Sequence, residues 1–187
     1  MRLPKKGSVE NSSSGQNAPN AKGSTAANFK PFNLKTLDGT NKTLQDYANK
    51  VTVVSFFFPQ CPYCNVEFPE TQKIYEKYKD KGLSMVWINV LPEQEKLIAP
   101  WLEEHRFTVP VLVGAAMDSL SKNYQIKATP TNYLVDANGK VLYYVTGYKP
   151  GDEKLLEAKI AAALNTAPYG ALTLSECLDS RCSTDAG

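Results

Sequence analysis

An α/β fold, with a mixed central sheet and helices on both faces, is what this chain predicts, and three observations carry it. Two runs, 51–58 (Val-Thr-Val-Val-Ser-Phe-Phe-Phe) and 83–90 (Leu-Ser-Met-Val-Trp-Ile-Asn-Val), are apolar almost throughout, as strands covered on both sides are. Each run is followed by a stretch of helical periodicity, so strand and helix alternate. Near the end, Asp136-Ala137-Asn138-Gly139 separates two further strand-like segments and reads as a tight hairpin turn.

The elements follow in order. Residues 29–34 and the turn at Asp38-Gly39 predict a short leading hairpin, and 44–47 a single helical turn. Strand 51–58 leads into a helix over 61–79, which carries Val66, Phe68, Ile74, Tyr75 and Tyr78. After strand 83–90 comes a helix over 93–105, with Leu97, Ile98, Trp101 and Leu102 on one side. A strand at 109–113, a helix at 117–124, strands at 131–135 and 141–146, and a closing helix at 154–164 complete the series. Helices between strands imply parallel pairing through right-handed crossovers, and the final hairpin adds antiparallel strands. Trp87 and Trp101 read as core residues.

Residues 1–28 are rich in Ser, Asn, Gly, Lys and Ala and too poor in apolar side chains to fold alone. They read as a flexible leader or linker, or as residual tag sequence. A folded domain is expected over 29–165, followed by a tail over 166–187. The 187 residues suffice for one domain with a real core. A net charge of +2 with no basic stripe argues against nucleic acid as a partner. No apolar run is long enough to cross a bilayer, and residues 2–30 are too polar for a secretory core. The protein is therefore either cytoplasmic or one whose signal or anchor has been removed.

The chemistry lies in Cys61-Pro62-Tyr63-Cys64. Two thiols at this spacing can close a disulfide and so exchange two electrons with another protein. At the start of a helix, the macrodipole and free N–H groups favour a thiolate. The position predicts a reactive, partly exposed Cys61 and a less accessible Cys64 one turn later. Pro62 falls in the first turn, where a helix tolerates proline best. Tyr63 is expected at the surface, either as a plain solvent-edge aromatic or as a substrate contact. Pro69 lies inside the same helix, which either kinks and continues or ends near Phe68.

The chain has four cysteines, the other two being Cys177 and Cys182. Proximity favours the pairs Cys61–Cys64 and Cys177–Cys182. The second reads as a local staple more readily than as an electron shuttle. About 110 residues separate the two pairs, unlike a compact zinc ribbon. His105, the one histidine, reads as a cap at a helix end, and no haem-attachment motif occurs. No metal and no cofactor are expected. Thr129-Pro130-Thr131 opens a strand, and a cis peptide before Pro130 would present the Thr129 backbone to a substrate chain.

These residues together resemble the thioredoxin superfamily, and within it the TlpA/ResA-like branch of extracytoplasmic thiol:disulfide oxidoreductases. The Cys-x-x-Cys after a Phe-rich strand, the Glu67 and Pro69 that follow it, and the run 128–136 with Gly139 all match. The leading hairpin and the inserted helix–strand element between Val90 and Tyr124 fit the same branch. The resemblance implies a thioredoxin fold over residues 29–164. It also implies Cys61 as nucleophile, Cys64 as resolving thiol, Thr129-Pro130 as a cis substrate rest, and Glu67 near the thiols as a proton acceptor or a tuning charge. Read as residues alone, Glu67 could equally be an exposed helix glutamate.

The chain departs from plain thioredoxin in several places. Gln60, after Pro59, stands where the usual Trp precedes the first Cys, Ser55 replaces the buried Asp, and Trp87 occupies the neighbouring strand in place of a Lys. The Pro-Tyr dipeptide is that of glutaredoxins, but no Gly-Gly follows the proline strand to hold glutathione.

The expected function is a monomeric thiol:disulfide oxidoreductase working outside the cytoplasm as a reductant. Its partners would be protein disulfides or dithiols and an upstream thiol donor or acceptor. Two alternatives stand beside it. One is a peroxiredoxin-like thiol peroxidase, suggested by Phe57-Phe58-Pro59, although Cys61 stands where that chemistry needs a Thr and Arg106 is the one arginine of the domain interior. The other is a thioredoxin-like binding or chaperone module with an incidental Cys pair.

Overall fold

The computed structural model describes residues 28–114 and 117–166. The leader up to residue 27 and the tail from 167 onward, with Cys177 and Cys182, lie outside the described residues. The strands are β1 (Asn33–Thr36), β2 (Asn41–Thr43), β3 (Val51–Phe57), β4 (Leu83–Asn89), β5 (Val111–Val113), β6 (Thr131–Asp136) and β7 (Val141–Thr146). The helices are α1 (Pro62–Tyr78), α2 (Ile98–His105), α3 (Met117–Tyr124) and α4 (Asp152–Thr166). The strands form one mixed sheet in the order β2-β1-β5-β4-β3-β6-β7.

Every residue of β3 is buried, which explains its unbroken apolar sequence. It pairs in parallel with β4 from Val51 opposite Leu83 to Phe57 opposite Asn89. On its other side it pairs antiparallel with β6, placing Ser55 opposite Asn132. Alternation along the strands then assigns side chains to faces. Val53, Ser55, Phe57, Trp87, Asn132, Leu134, Tyr143 and Val145 lie under α1, α2 and α4. Val54, Phe56, Val86, Ile88, Tyr133 and Tyr144 face the opposite way, under α3 and the 3-10 turn Leu44–Tyr47, with Phe29 and Phe32.

Three expectations need correction. Crossovers through α1 and α2 do give parallel pairs, but α3 does not lead to one. Gln125, in the left-handed region (φ 50), follows α3, and the chain returns as β6 antiparallel to β3. The helix expected over 93–105 is a 3-10 segment, Pro92–Leu97, followed by α2. Pro100 has no N–H to donate to the Lys96 carbonyl, which removes one α-helical bond at the junction of the two segments. The leading hairpin begins at Asn33 rather than Phe29, because Phe29 and Phe32 are core residues packed under the sheet.

The β6–β7 hairpin turns at Asp136, whose Oδ1 accepts from the amides of Asn138 and Lys140. Gly139 (φ 79) takes the left-handed conformation the turn requires. Continuity of α1 through Pro69 to Tyr78 rules out a helix ending at Phe68.

Candidate active site

The carboxyl end of β3 delivers the chain to Cys61, which is the N-cap of α1 (φ −71, ψ 115), with Pro62 in the first turn. Capping by a sulfur is unusual, since the role ordinarily falls to a side-chain oxygen. Here the Cys64 amide donates to Cys61 Sγ at 3.2 Å. The Thr129 hydroxyl donates to the same sulfur at 3.3 Å, and the Thr129 carbonyl oxygen is 3.6 Å away. Two donors and the positive end of a helix therefore converge on one atom and favour negative charge there. Cys61 and Cys64 are joined as a disulfide, with Cα atoms 5.2 Å apart.

The Thr129–Pro130 peptide is cis, as expected. It stands beside the disulfide although 68 residues separate Thr129 from Cys61. One expectation fails here. Cys61 is only 2% exposed, where partial exposure was expected, because Thr129 packs over its sulfur. Cys64 is fully buried. Pro62 and Tyr63 are exposed, Tyr63 at 60%, and Val66 continues the apolar rim. Thr129 is half-buried and Pro130 buried.

Glu67, three residues after Cys64 and so on the same side of α1, is 1% exposed and is not a surface glutamate. Burial pushes its carboxyl up to about 8, and the charges of Asp152 and Glu153 at the start of α4 add to this. A hydrogen bond from Asn132 Nδ2 to Glu67 Oε1, 2.9 Å long, acts the other way. A carboxyl in this range changes protonation near neutral pH, as a proton-transfer group must.

Two residues whose side chains bond to the active-site segment escaped the sequence reading. Asn65 donates from Nδ2 to the carbonyls of Pro59 and Cys61 at 3.0 and 3.1 Å, and its Oδ1 accepts from Trp101 Nε1 at 2.7 Å. It ties the active-site turn to α2. An Asn in the first turn of a helix, free to bond nearby backbone, was the available signal. Asn132 was the other. Its place in the alternation of β6, two residues before Leu134, puts it on the α1 face. His105 does end α2, with Nδ1 2.9 Å from the Trp101 carbonyl and its ring stacked on Phe107.

A Cys-x-x-Cys disulfide at the start of the helix that follows the central strand, on a mixed sheet of this order, defines a thioredoxin-like thiol:disulfide oxidoreductase. The chain belongs to the Redoxin family, whose profile matches residues 13–163. It is 30% identical over 112 residues to the thioredoxin-like protein YneN of Bacillus subtilis, spanning 59% of this chain and 64% of that protein. It is 31% identical over 127 residues to the thiol-disulfide oxidoreductase ResA of Geobacillus thermodenitrificans, spanning 68% of this chain and 70% of that protein. Among solved structures, it superposes on the thioredoxin domain of a thiol-disulfide oxidoreductase from Bacteroides vulgatus with a TM-score of 0.63 and 25% identity, covering 75% of this chain and 98% of that one.

Proposed function

We propose that this chain is a monomeric extracytoplasmic reductant of protein disulfides, with the domain over 29–165 as its redox unit and an upstream thiol donor to recharge it. The observation that carries the reading is the pair of donors on Cys61 Sγ, from the Cys64 amide and the Thr129 hydroxyl. In the reduced protein they favour the thiolate, which is the attacking species.

The Cys61 thiolate attacks one sulfur of a partner disulfide and forms a mixed disulfide, and the other partner sulfur leaves as a thiolate that takes up a proton. The Cys64 thiol passes its proton to the Glu67 carboxylate and attacks Cys61 Sγ. The second partner thiolate leaves and is protonated. The partner has gained two electrons and two protons, and Cys61–Cys64 is again a disulfide. Pro62, Tyr63, Thr129 and Pro130 form the rim that receives the partner chain, with Thr129 offering its backbone beside the reacting sulfur.

Because Cys61 is covered, the partner segment must displace or pair with the Thr129 strand to reach it. The extracytoplasmic setting rests on the resemblance to the TlpA/ResA-like branch and on the second cysteine pair. Among the described residues no helix is long and apolar enough to cross a membrane.

Turnover of a disulfide-bonded protein substrate with a dithiol recharging agent tests the reading. Turnover should vanish in Cys61→Ser, and Cys64→Ser should trap the mixed disulfide. Peroxide-dependent loss of a single thiol would favour the peroxidase instead, and neither activity would favour a binding module. Equilibration in defined thiol buffers gives the midpoint of the pair, and a midpoint too oxidising to reduce protein disulfides would reverse the direction of electron flow.

A further inference from the structure

Glu67 and Asn132 each hold one satisfied and one unsatisfied atom. Asn132 Nδ2 donates to Glu67 Oε1 at 2.9 Å. Glu67 Oε2 and Asn132 Oδ1 are both buried and have no hydrogen-bond partner among the described residues. Two buried acceptors left without a donor are costly. Both lie on groups already joined by one hydrogen bond.

We propose that Asn132 is a positioning residue that pairs with Glu67 as an amide pairs with a carboxylic acid: Nδ2–H donates to Oε1, and when Oε2 carries a proton that O–H donates to Oδ1. The proposal rests on the reading of Glu67 as the proton acceptor for Cys64. An amide suits this place because it offers a donor and an acceptor side by side. It can hold the anion through Nδ2 alone and the acid through both atoms, so the carboxyl keeps its position across the proton transfer.

The surroundings favour the protonated partner. The titratable groups that face Glu67 are Asp152 and Glu153 on α4, Tyr143 on β7, Tyr148 in the loop before α4, and Cys64 one turn earlier on α1. Both α4 carboxylates oppose a negative charge on Glu67, as burial does. The adjoining polar group on β3, Ser55, lies opposite Asn132 in register, yet its hydroxyl bonds to neither residue. Asn132 is therefore the one side chain among the described residues that holds this carboxyl by a hydrogen bond.

Infrared difference spectra of the full chain, taken across the titration of Glu67, test the pairing without relying on activity. The carboxylic acid carbonyl band is assigned by its loss in Glu67→Gln. In the natural protein it should lie at the low frequency of a hydrogen-bonded acid, and it should move to higher frequency in Asn132→Leu. Asn132→Ser, which keeps a small polar group in the core, repeats the measurement should the leucine variant fail to fold. A band that stays in place overturns the pairing.

In Asn132→Ser, resolution of the mixed disulfide should slow by about tenfold. An unchanged rate beside a shifted band would overturn the positioning role. Resolution in the natural protein is measured against pH alongside. If its rate ignores the midpoint of the Glu67 band while the variant band still shifts, the pairing stands and Glu67's role as base falls instead.

Discussion

On the face of the sheet under α3, the buried tyrosine hydroxyls of the described residues are accommodated. Tyr124 donates to the Lys30 carbonyl, Tyr133 to that of Tyr124, and Tyr144 to that of Gln125. On the face under α1 and α4, five buried polar atoms have no partner among the described residues: Ser55 Oγ, Glu67 Oε2, Trp87 Nε1, Asn132 Oδ1 and Tyr143 OH. The same sheet thus has a face built as a satisfied core and a face that leaves polar groups unsettled beneath the disulfide. Unsatisfied polar groups cost stability and persist where something other than stability retains them. Two of them belong to Glu67 and to Asn132, its hydrogen-bond partner, and burial pushes the Glu67 carboxyl up to about 8. The difference separates a face whose tyrosine hydroxyls are paired from the face that carries the Cys61–Cys64 disulfide and the raised Glu67 carboxyl.

The strongest way to break this comparison is to empty the supporting face. Phe56 is fully buried against Tyr124 and Tyr133, and Phe56→Ala should cost about 3–5 kcal/mol in denaturant unfolding. The midpoint of the Cys61–Cys64 couple in the folded variant should not move. A shifted midpoint would mean that the two faces are not separable.

Next in size is Glu67→Gln. Unfolded glutamate titrates near 4.5 and the folded carboxyl near 8. The folded state therefore holds the proton to higher pH. Stability on this account is full below about 4.5, falls as pH rises, and is lost through about 8. Gln has no proton to lose, so the variant should keep its stability above pH 8 and exceed the natural protein there by up to about 5 kcal/mol. Urea midpoints across that range check it, and parallel curves for the two proteins would mean that Glu67 is not raised.

A single substitution made on both faces sharpens the contrast further. Tyr133→Phe removes a satisfied hydroxyl and leaves the Tyr124 carbonyl without that donor, at a cost of about 1 kcal/mol. Tyr143→Phe removes an unsatisfied one and should be neutral or stabilising by about 1 kcal/mol. Thermal unfolding should show a loss for Tyr133→Phe and none for Tyr143→Phe, and equal losses would show that Tyr143 has a partner after all. The smallest effect is expected at the rim. Tyr63→Ala should change stability by less than about 0.5 kcal/mol while raising KM for a protein disulfide, and an unchanged KM would remove Tyr63 from the docking surface.

Much of this architecture is legible in the chain. β3 and β4 announce themselves because strands buried on both faces need apolar residues at every position. α1 follows from Pro62 in its first turn and from its apolar periodicity, and the β6–β7 hairpin from its Asp-Ala-Asn-Gly turn. Cys61 and Cys64 are visible as a pair because four consecutive residues bring them together. The antiparallel return of β6 was hidden, since nothing local in α3 states which edge of the sheet the chain will join. The break before α2 was in plain view at Pro100 but was outweighed by the apolar stripe around it.

The sequence by itself determined the elements, the redox pair and its place at a helix start, because period, proline position and cysteine spacing are local properties. Only the tertiary structure decided that Cys61 lies beneath Thr129, that Glu67 is buried, and that Asn132 meets it. Those facts depend on which strands pair and in what register, and burial, the cause of the raised carboxyl, is a property of the assembled sheet and helices rather than of any one segment.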